Sequence, residues 1–521
     1  MDAASALPGR TTALRPAWRV TPLRLVIGLT LLAVAVRLVH IGSRPLWLDE
    51  AYSAWFASRS WHYLWTAVPT YEPHPPFYYS VLKLWEAIAG DSPVALRALS
   101  LLLSAATVPV VMAAAREFDR QRPSDRPLLA AGVTGFLFAC GPMLVFLDQE
   151  ARPYPMAILA YAVAVLALLR LMRAFAEGSS GTWRSWLLLG LSTEIVLWAH
   201  GLGLLYAACL GLALLPTWLG KPLPRERLVR GGITAAVVTA AYLPCLLMVL
   251  SRTHDWGTGW LPWRPLMLLQ LLDIYSVPMV AITAGTGIAT LIIVLLSFRA
   301  AASAIKAHGS NSERALVLLW FGPPVMAALV SQFVVPVFLA RALSATIVPA
   351  YIAMGAALAR TEGRRERILL AGALAATLIP TAVQIASRPA PEPWDQVSAF
   401  VSRHAAPTDQ VWLYPNDSIH PLNAAGLNLA NVRGIPRDYP AIGFKGPIRA
   451  GSPAVVSLTA EQARPFATDP TISGVPVIWL VTRQSELFDP KAELPAALAQ
   501  VRRPGPPTRW GYIGVQPFYR R

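Results

Sequence analysis

Long apolar runs, broken by short polar stretches, recur from residue 24 to residue 387. They stand at roughly 23–41, 94–115, 127–147, 154–174, 185–200, 202–219, 231–250, 278–298, 315–333, 337–359 and 368–387. Each has about the length that a bilayer-crossing helix needs, which predicts a mainly α, polytopic membrane domain of about eleven spans over residues 1–388. The first run lacks a small-residue cleavage site and reads as a retained anchor. Beyond residue 388 the pattern changes. Prolines cluster at 389, 391 and 393, and an amphipathic helix starts near Trp394 with Val397, Phe400 and Val401 on one face. Strand-like runs follow at Val411–Tyr414 and Val477–Val481, then a helix near Lys491–Val501. Residues 389–521 are therefore expected to form a small α/β domain.

Composition agrees with that division. The 521 residues are 55% hydrophobic and 14% charged, with mean hydropathy +0.46, whereas a soluble chain carries about 25% charged residues. The net charge of +16 would suit nucleic acid if it formed a patch, but it does not. Basic clusters follow alternate spans, at Arg116–Arg126, Arg170–Arg184, Lys221–Arg230, Arg299–Arg314 and Arg360–Arg367. The positive-inside rule makes those loops cytoplasmic and excludes nucleic acid as a partner. The N-terminus is then cytoplasmic, and the C-terminal domain lies outside the cytoplasmic (inner) membrane. Cys140, Cys209 and Cys245 lie in apolar runs and read as buried packing residues.

That orientation gathers the chemistry on one face. Asp49, Glu50, Glu72, His74, Asp148, Glu150, Arg152, His200, His254, Asp255 and Arg341 are all expected there. Asp49-Glu50 and the Asp148–Tyr154 turn can each be read as helix capping. Two acidic turns beside a membrane are nevertheless costly unless the carboxylates are paired or used. The Tyr71-Glu72-Pro73-His74-Pro75-Pro76 stretch is a rigid turn. Glu72 and His74 there are candidate ligands of a divalent metal ion, the one cofactor considered. Arg341 opens a span, where it either snorkels or holds an anion such as a lipid phosphate. Glu194 lies inside a span with no evident partner. Tryptophans 47, 55, 61, 65, 256, 260 and 263 suit a membrane interface.

These motifs resemble those of the GT-C glycosyltransferases, within them the protein O-mannosyltransferase and aminoarabinose-transferase superfamily. The likeness rests on the acidic pair after the first span, the Pro-Pro turn followed by Tyr78-Tyr79, and the Asp-x-Glu-x-Arg-x-Tyr turn after the third span. It covers approximately residues 20–390. It implies transfer of a hexose or pentose from a polyprenyl phosphate to a lipid, glycan or protein acceptor, outside the membrane. Asp49 would be the catalytic base and Asp148 a second active-site acid. Arg341 would be the lipid-phosphate ligand. Glu50, His74, Glu150, Arg152 and Tyr154 are taken as further substrate-binding residues. Where aminoarabinose transferases carry Lys before the Pro-Pro, this chain has His74, which fits mannosyltransferase-like relatives better. The rival class is a transporter or flippase, for which polar midplane groups and repeat symmetry are expected. Of these features the sequence shows only Glu194.

Overall fold

The computed structural model describes residues 21–70, 72, 74–121, 123–218, 223–250, 263–274, 310–361, 363–387, 390, 392–427, 431–438 and 458–521. The expected span at 278–298 lies outside these residues, as do His254, Asp255, Trp256, Trp260 and the 388/389 boundary. Every other expected span coincides with helix. The membrane helices are α1 (Pro22–Leu38), α5 (Pro93–Gln121), α6 (Pro127–Cys140), α7 (Pro142–Asp148), α8 (Tyr154–Ala176), α9 (Trp183–Ala199), α10 (Gly203–Leu214) and α11 (Arg225–Leu250). They continue with α12 (Asn311–Phe333), α13 (Ile347–Ala359, preceded by a 3-10 turn at Ala340–Thr346) and α14 (Gly363–Ser387). By length and apolarity, six described helices can cross a bilayer alone, and up to seven if α6 and α7 form one broken span. This is a multi-pass membrane protein. The expected count of about eleven rests also on the shorter helices α1, α9 and α10.

The α6–α7 break follows from Gly141-Pro142. Proline cannot donate to the helix ladder and drives its predecessor out of the helical region, and the two segments meet at 52°. The bend carries Asp148 and the turn after it across the end of the bundle. Between α1 and α5 the chain makes a short helical layer, α2 (Leu48–Ser58), α3 (Trp61–Thr66) and α4 (Phe77–Ala89). Its Phe56, Leu64, Tyr78, Tyr79 and Leu82 share a small core with Leu96 and Leu99 of α5 and Met156 and Ala157 of α8, over that same end.

Residues 392–521 hold a six-stranded mixed sheet. Strands β1 (Gln410–Tyr414), β2 (Val432–Gly434), β3 (Val477–Arg483), β4 (Arg502–Pro504), β5 (Thr508–Trp510) and β6 (Ile513–Arg520) run in the order β2-β1-β3-β6-β4, with β5 also on β6. β1 is parallel to β2 and β3, and β6 is antiparallel to β3. The expected strands are β1 and β3. The expected helices are Trp394–His404, with Val397 and Val401 buried, and Glu493–Val501. Each sheet face has its own apolar core. The three cysteines are free and buried.

Helices α6 and α13 cross at Gly355, where a Cβ atom would lie 2.2 Å from Thr134 Oγ1 and 2.7 Å from the Ala130 carbonyl oxygen. Gly355→Ala is therefore expected to cost about 1–3 kcal/mol through overpacking. A thermal melt in detergent checks this, and an unchanged midpoint would show that the crossing is looser than described.

Candidate active site

The two acidic turns meet, and Glu50 joins them. Its carboxylate is fully buried and accepts two bonds from Arg97 of α5, at 2.7 Å and 2.6 Å. It also accepts from the Ala151 amide at 2.9 Å and from the Trp47 amide at 3.4 Å. Burial opposes its ionisation, but Arg97 and the Ala151 amide hold its pKa below the ordinary glutamate value. Glu50 is thus tied into the scaffold that links the start of α2, α5 and the turn before α8.

Adjacent residues on a helix point about 100° apart, so Asp49 faces elsewhere. Its side chain keeps 21% of its surface exposed. Oδ2 accepts from Arg341 Nη2 at 3.2 Å and lies 3.8 Å from Arg152 Nη2. Arg152 also donates to the Asp49 carbonyl at 3.0 Å, and the Arg341 guanidinium lies 5.4 Å from the Trp47 ring centre. Burial acts to raise the Asp49 pKa, yet Arg152, Arg341, Arg483 and His74 together hold it below the usual aspartate value. The carboxylate is ionised at neutral pH.

A second cluster lies alongside. The Leu202 amide donates to His200 Nδ1 at 3.0 Å, so a neutral His200 carries its proton on Nε2. That nitrogen faces His74 Nε2 at 3.3 Å, and His74 Nδ1 lies 2.7 Å from Glu72 Oε1. The only assignment satisfying all three contacts puts the His74 proton on Nδ1, shared with Glu72. Tyr79 donates to the same Glu72 oxygen at 3.2 Å. Both ring nitrogens of His74 are engaged in this way. The candidate metal pair, Glu72 and His74, bind each other. Among the described residues no three His, Cys, Asp or Glu side chains are grouped to hold a metal ion. Tyr154 lies beside His200, ring centres 5.5 Å apart. A narrow crevice of about 10 Å³ opens next to them, between Tyr154, Ile158, His200, Tyr206 and Ala342.

The remaining expected residues lie deeper. Asp148 is 1% exposed, and its Oδ2 accepts from Arg37 Nε at 2.7 Å and Ser104 Oγ at 2.5 Å. Its recorded partners belong to the bundle and not to the Asp49 cluster. Glu150 is buried, its charge acting on Arg44 and Arg97. Glu194 of α9 acts on Tyr242 and Cys245 of α11. Sequence reasoning passed over Arg37, Arg97, Glu392, Asp417 and Arg483. The first two carried a signal, since each is an arginine inside an apolar run. A larger cavity of about 550 Å³, lined by Arg170, Arg173, Glu177 and Arg184, sits at the far end of α8 and shares no residue with this site.

With this geometry in place, solved structures of similar fold can be set beside it. ArnT from Cupriavidus metallidurans in the apo state superposes with TM-score 0.60 at 13% identity, covering 94% of this chain and 97% of that one. The archaeal oligosaccharyltransferase AglB from Archaeoglobus fulgidus, in complex with an inhibitory peptide and a dolichol-phosphate, gives 0.51 at 12% identity over 89% and 69%. The mycobacterial arabinofuranosyltransferase AftD gives 0.50 at 13% identity over 96% and 40%. The fold is that of the GT-C membrane glycosyltransferases. No protein-family model matches the sequence, and no curated protein does.

Glu50 and Asp49 separate cleanly by substitution. Glu50→Gln leaves Arg97 buried against a neutral partner, and is expected to lose about 3–5 kcal/mol of stability. Asp49→Asn, at a partly open position, is expected to melt close to the wild type. Thermal denaturation of both proteins checks this, and equal melting points would contradict the division of roles.

Proposed function

We propose that this protein transfers a sugar from a polyprenyl phosphate to a hydroxyl of a lipid, glycan or protein acceptor, with inversion, and that Asp49 is the general base. The observation that carries the reading is the Asp49–Arg341 contact: a partly exposed carboxylate and a partly exposed guanidinium 3.2 Å apart. Such a pair offers a proton acceptor and an anion site side by side. Support from likeness is at the level of fold, and includes an ArnT structure bound to undecaprenyl phosphate, TM-score 0.60 at 13% identity.

The chemistry needs little else. As the acceptor oxygen bonds to the anomeric carbon its proton passes to Asp49, and the carbon–oxygen bond to phosphate breaks with its electron pair on the leaving group. A phosphate monoester is a stabilised leaving group, so cations serve the donor side better than an acid. The Asp49–Arg341 contact must open for this: Arg341 turns to the departing phosphate, and the oxocarbenium-like centre forms between the separated groups. The acceptor proton becomes acidic only as the bond forms, so a weakly basic carboxylate is sufficient. Arg152 and the buried Asp148 act by positioning, since both are anchored in the turn that Glu50 fastens. For His74 to face the phosphate it must exchange its contact with His200.

We place the site outside the cytoplasmic membrane. Arg120, Arg173, Arg230 and Arg360 form ion pairs at the opposite end of the bundle, which is the cytoplasmic end under the positive-inside rule. A transport reading gains no support from this arrangement, because the site charges stand at one end of the bundle and the arginine ion pairs at the other.

Purified Asp49→Asn is expected to lose on the order of a hundredfold or more in turnover of a polyprenyl-phosphate sugar, while still binding undecaprenyl phosphate. Wild-type turnover would remove Asp49 as the base. Arg341→Met is expected to weaken undecaprenyl phosphate binding on the order of tenfold. Unchanged affinity would place the phosphate elsewhere.

A further inference from the structure

Helix α2 is fastened from a second side, by the C-terminal unit. Glu392 Oε2 accepts from the Leu48 amide at 3.0 Å. That amide belongs to the first turn of α2, where a helix supplies no acceptor of its own. The same oxygen accepts from Trp394 Nε1 at 3.0 Å, and Oε1 accepts from Arg483 Nη1 at 3.2 Å. Arg483 Nη2 lies 3.8 Å from Asp417 Oδ2, which accepts from the Tyr52 hydroxyl at 3.2 Å. Tyr52 comes three residues after Asp49, so both lie on neighbouring positions of one helix face. His420 packs its ring against Tyr52 and Trp55, centres 5.0 Å and 4.6 Å apart.

Leu48 and Tyr52, the two residues that bracket Asp49, are thus each held by a carboxylate from the C-terminal unit. Both carboxylates are held in turn by one guanidinium. Glu392, Asp417 and Arg483 are all buried. Arg483 ends β3, a strand paired with β1 on one side and β6 on the other, and Asp417 lies just after β1. A charged cluster buried at a junction is costly unless its geometry is fixed by such rigid elements.

We propose that the C-terminal unit is a clamp on the base-bearing helix: Arg483, acting through Glu392 and Asp417, is a positioning residue that fixes where Asp49 stands. The reading of Asp49 as the base, on which the functional meaning of the clamp rests, is separate from the clamp itself. The groups facing Asp49 are Arg152 from the turn before α8, Arg341 before α13, His74 between α2 and α4, and Arg483 from the sheet. Those facing Arg483 are Asp417, Glu392 and Tyr52. Burial raises the Asp417 pKa against the pull of Arg483 and Tyr52, and the charges of Glu392 and Asp49 raise it further.

The test follows the carboxyl and not turnover. In full-length protein in lipid nanodiscs, infrared difference titration against Asp49→Asn isolates the Asp49 signal. Removing a nearby cation disfavours the carboxylate, so Arg483→Met is expected to raise the Asp49 midpoint by about half a pH unit or more. Arg483→Lys, which keeps the charge, is expected to bring it back towards wild type. Undecaprenyl phosphate binding should be unchanged in both, because Arg341 is intact. A wild-type midpoint together with unchanged hydrogen exchange at Leu48–Ser53 in Arg483→Met overturns the clamp. If that variant does not fold, Tyr52→Phe decides. Loss of the single bond to Asp417 is expected to speed hydrogen exchange at Leu48–Ser53 about threefold or more, and unchanged exchange overturns the proposal. Asp49→Asn with full turnover would defeat the base reading alone, since the titration does not use it.

Discussion

One buried carboxylate holds the site end of this molecule together. Glu50 accepts from Arg97 on α5, from the Ala151 amide before α8 and from the Trp47 amide at the start of α2. Three segments far apart in sequence therefore meet at one charge. A buried ion pair of this kind is weak evidence for net stability, but breaking it leaves a bare charge in a low-dielectric interior. The constraint acts mainly as a register. Once Ala151 is fixed to Glu50, Arg152 is brought to the carbonyl and carboxylate of Asp49 and to the Ser53 hydroxyl.

Asp49 then inherits its properties from position. The helical period turns it away from the scaffold, to where Arg152, Arg341, Arg483 and His74 outweigh the cost of burial and keep it ionised. Two of these groups come from the bundle, one from the layer over it and one from the sheet. The site is thus a junction of all three parts of the chain. Occupation of Arg341 by an anion would withdraw a cation from Asp49 and raise its basicity, which couples the donor side to the acceptor side through a single guanidinium.

Much of this was legible in the sequence, and the limits have physical causes. The apolar runs marked the helices because a bilayer imposes one length, although reading 127–147 as a single span missed the break at Gly141-Pro142. The acidic turns were marked because carboxylates at a membrane need partners, and the partnership of Asp49 with Arg341 sits where that reasoning put both residues. The same argument applied to Arg37 and Arg97, each a cation inside an apolar run, would have found the partners of Asp148 and Glu50. Adjacent acids could not be told apart by type, since only helix phase and burial separate Glu50 from Asp49. Glu392, Asp417 and Arg483 carried no signal, because in a soluble domain they look like ordinary surface charge. Only the folded arrangement shows that they reach α2.

The most direct measurement is an experimental structure with undecaprenyl phosphate bound. An active site at Asp49 and Arg341 requires the phosphate on the Arg341 guanidinium, within a few ångströms of Asp49, with the prenyl chain leaving beside Tyr154 and Ala342. A phosphate at the far end of α8, among Arg170, Arg173 and Arg184, with the Asp49–Arg341 contact untouched, would contradict it.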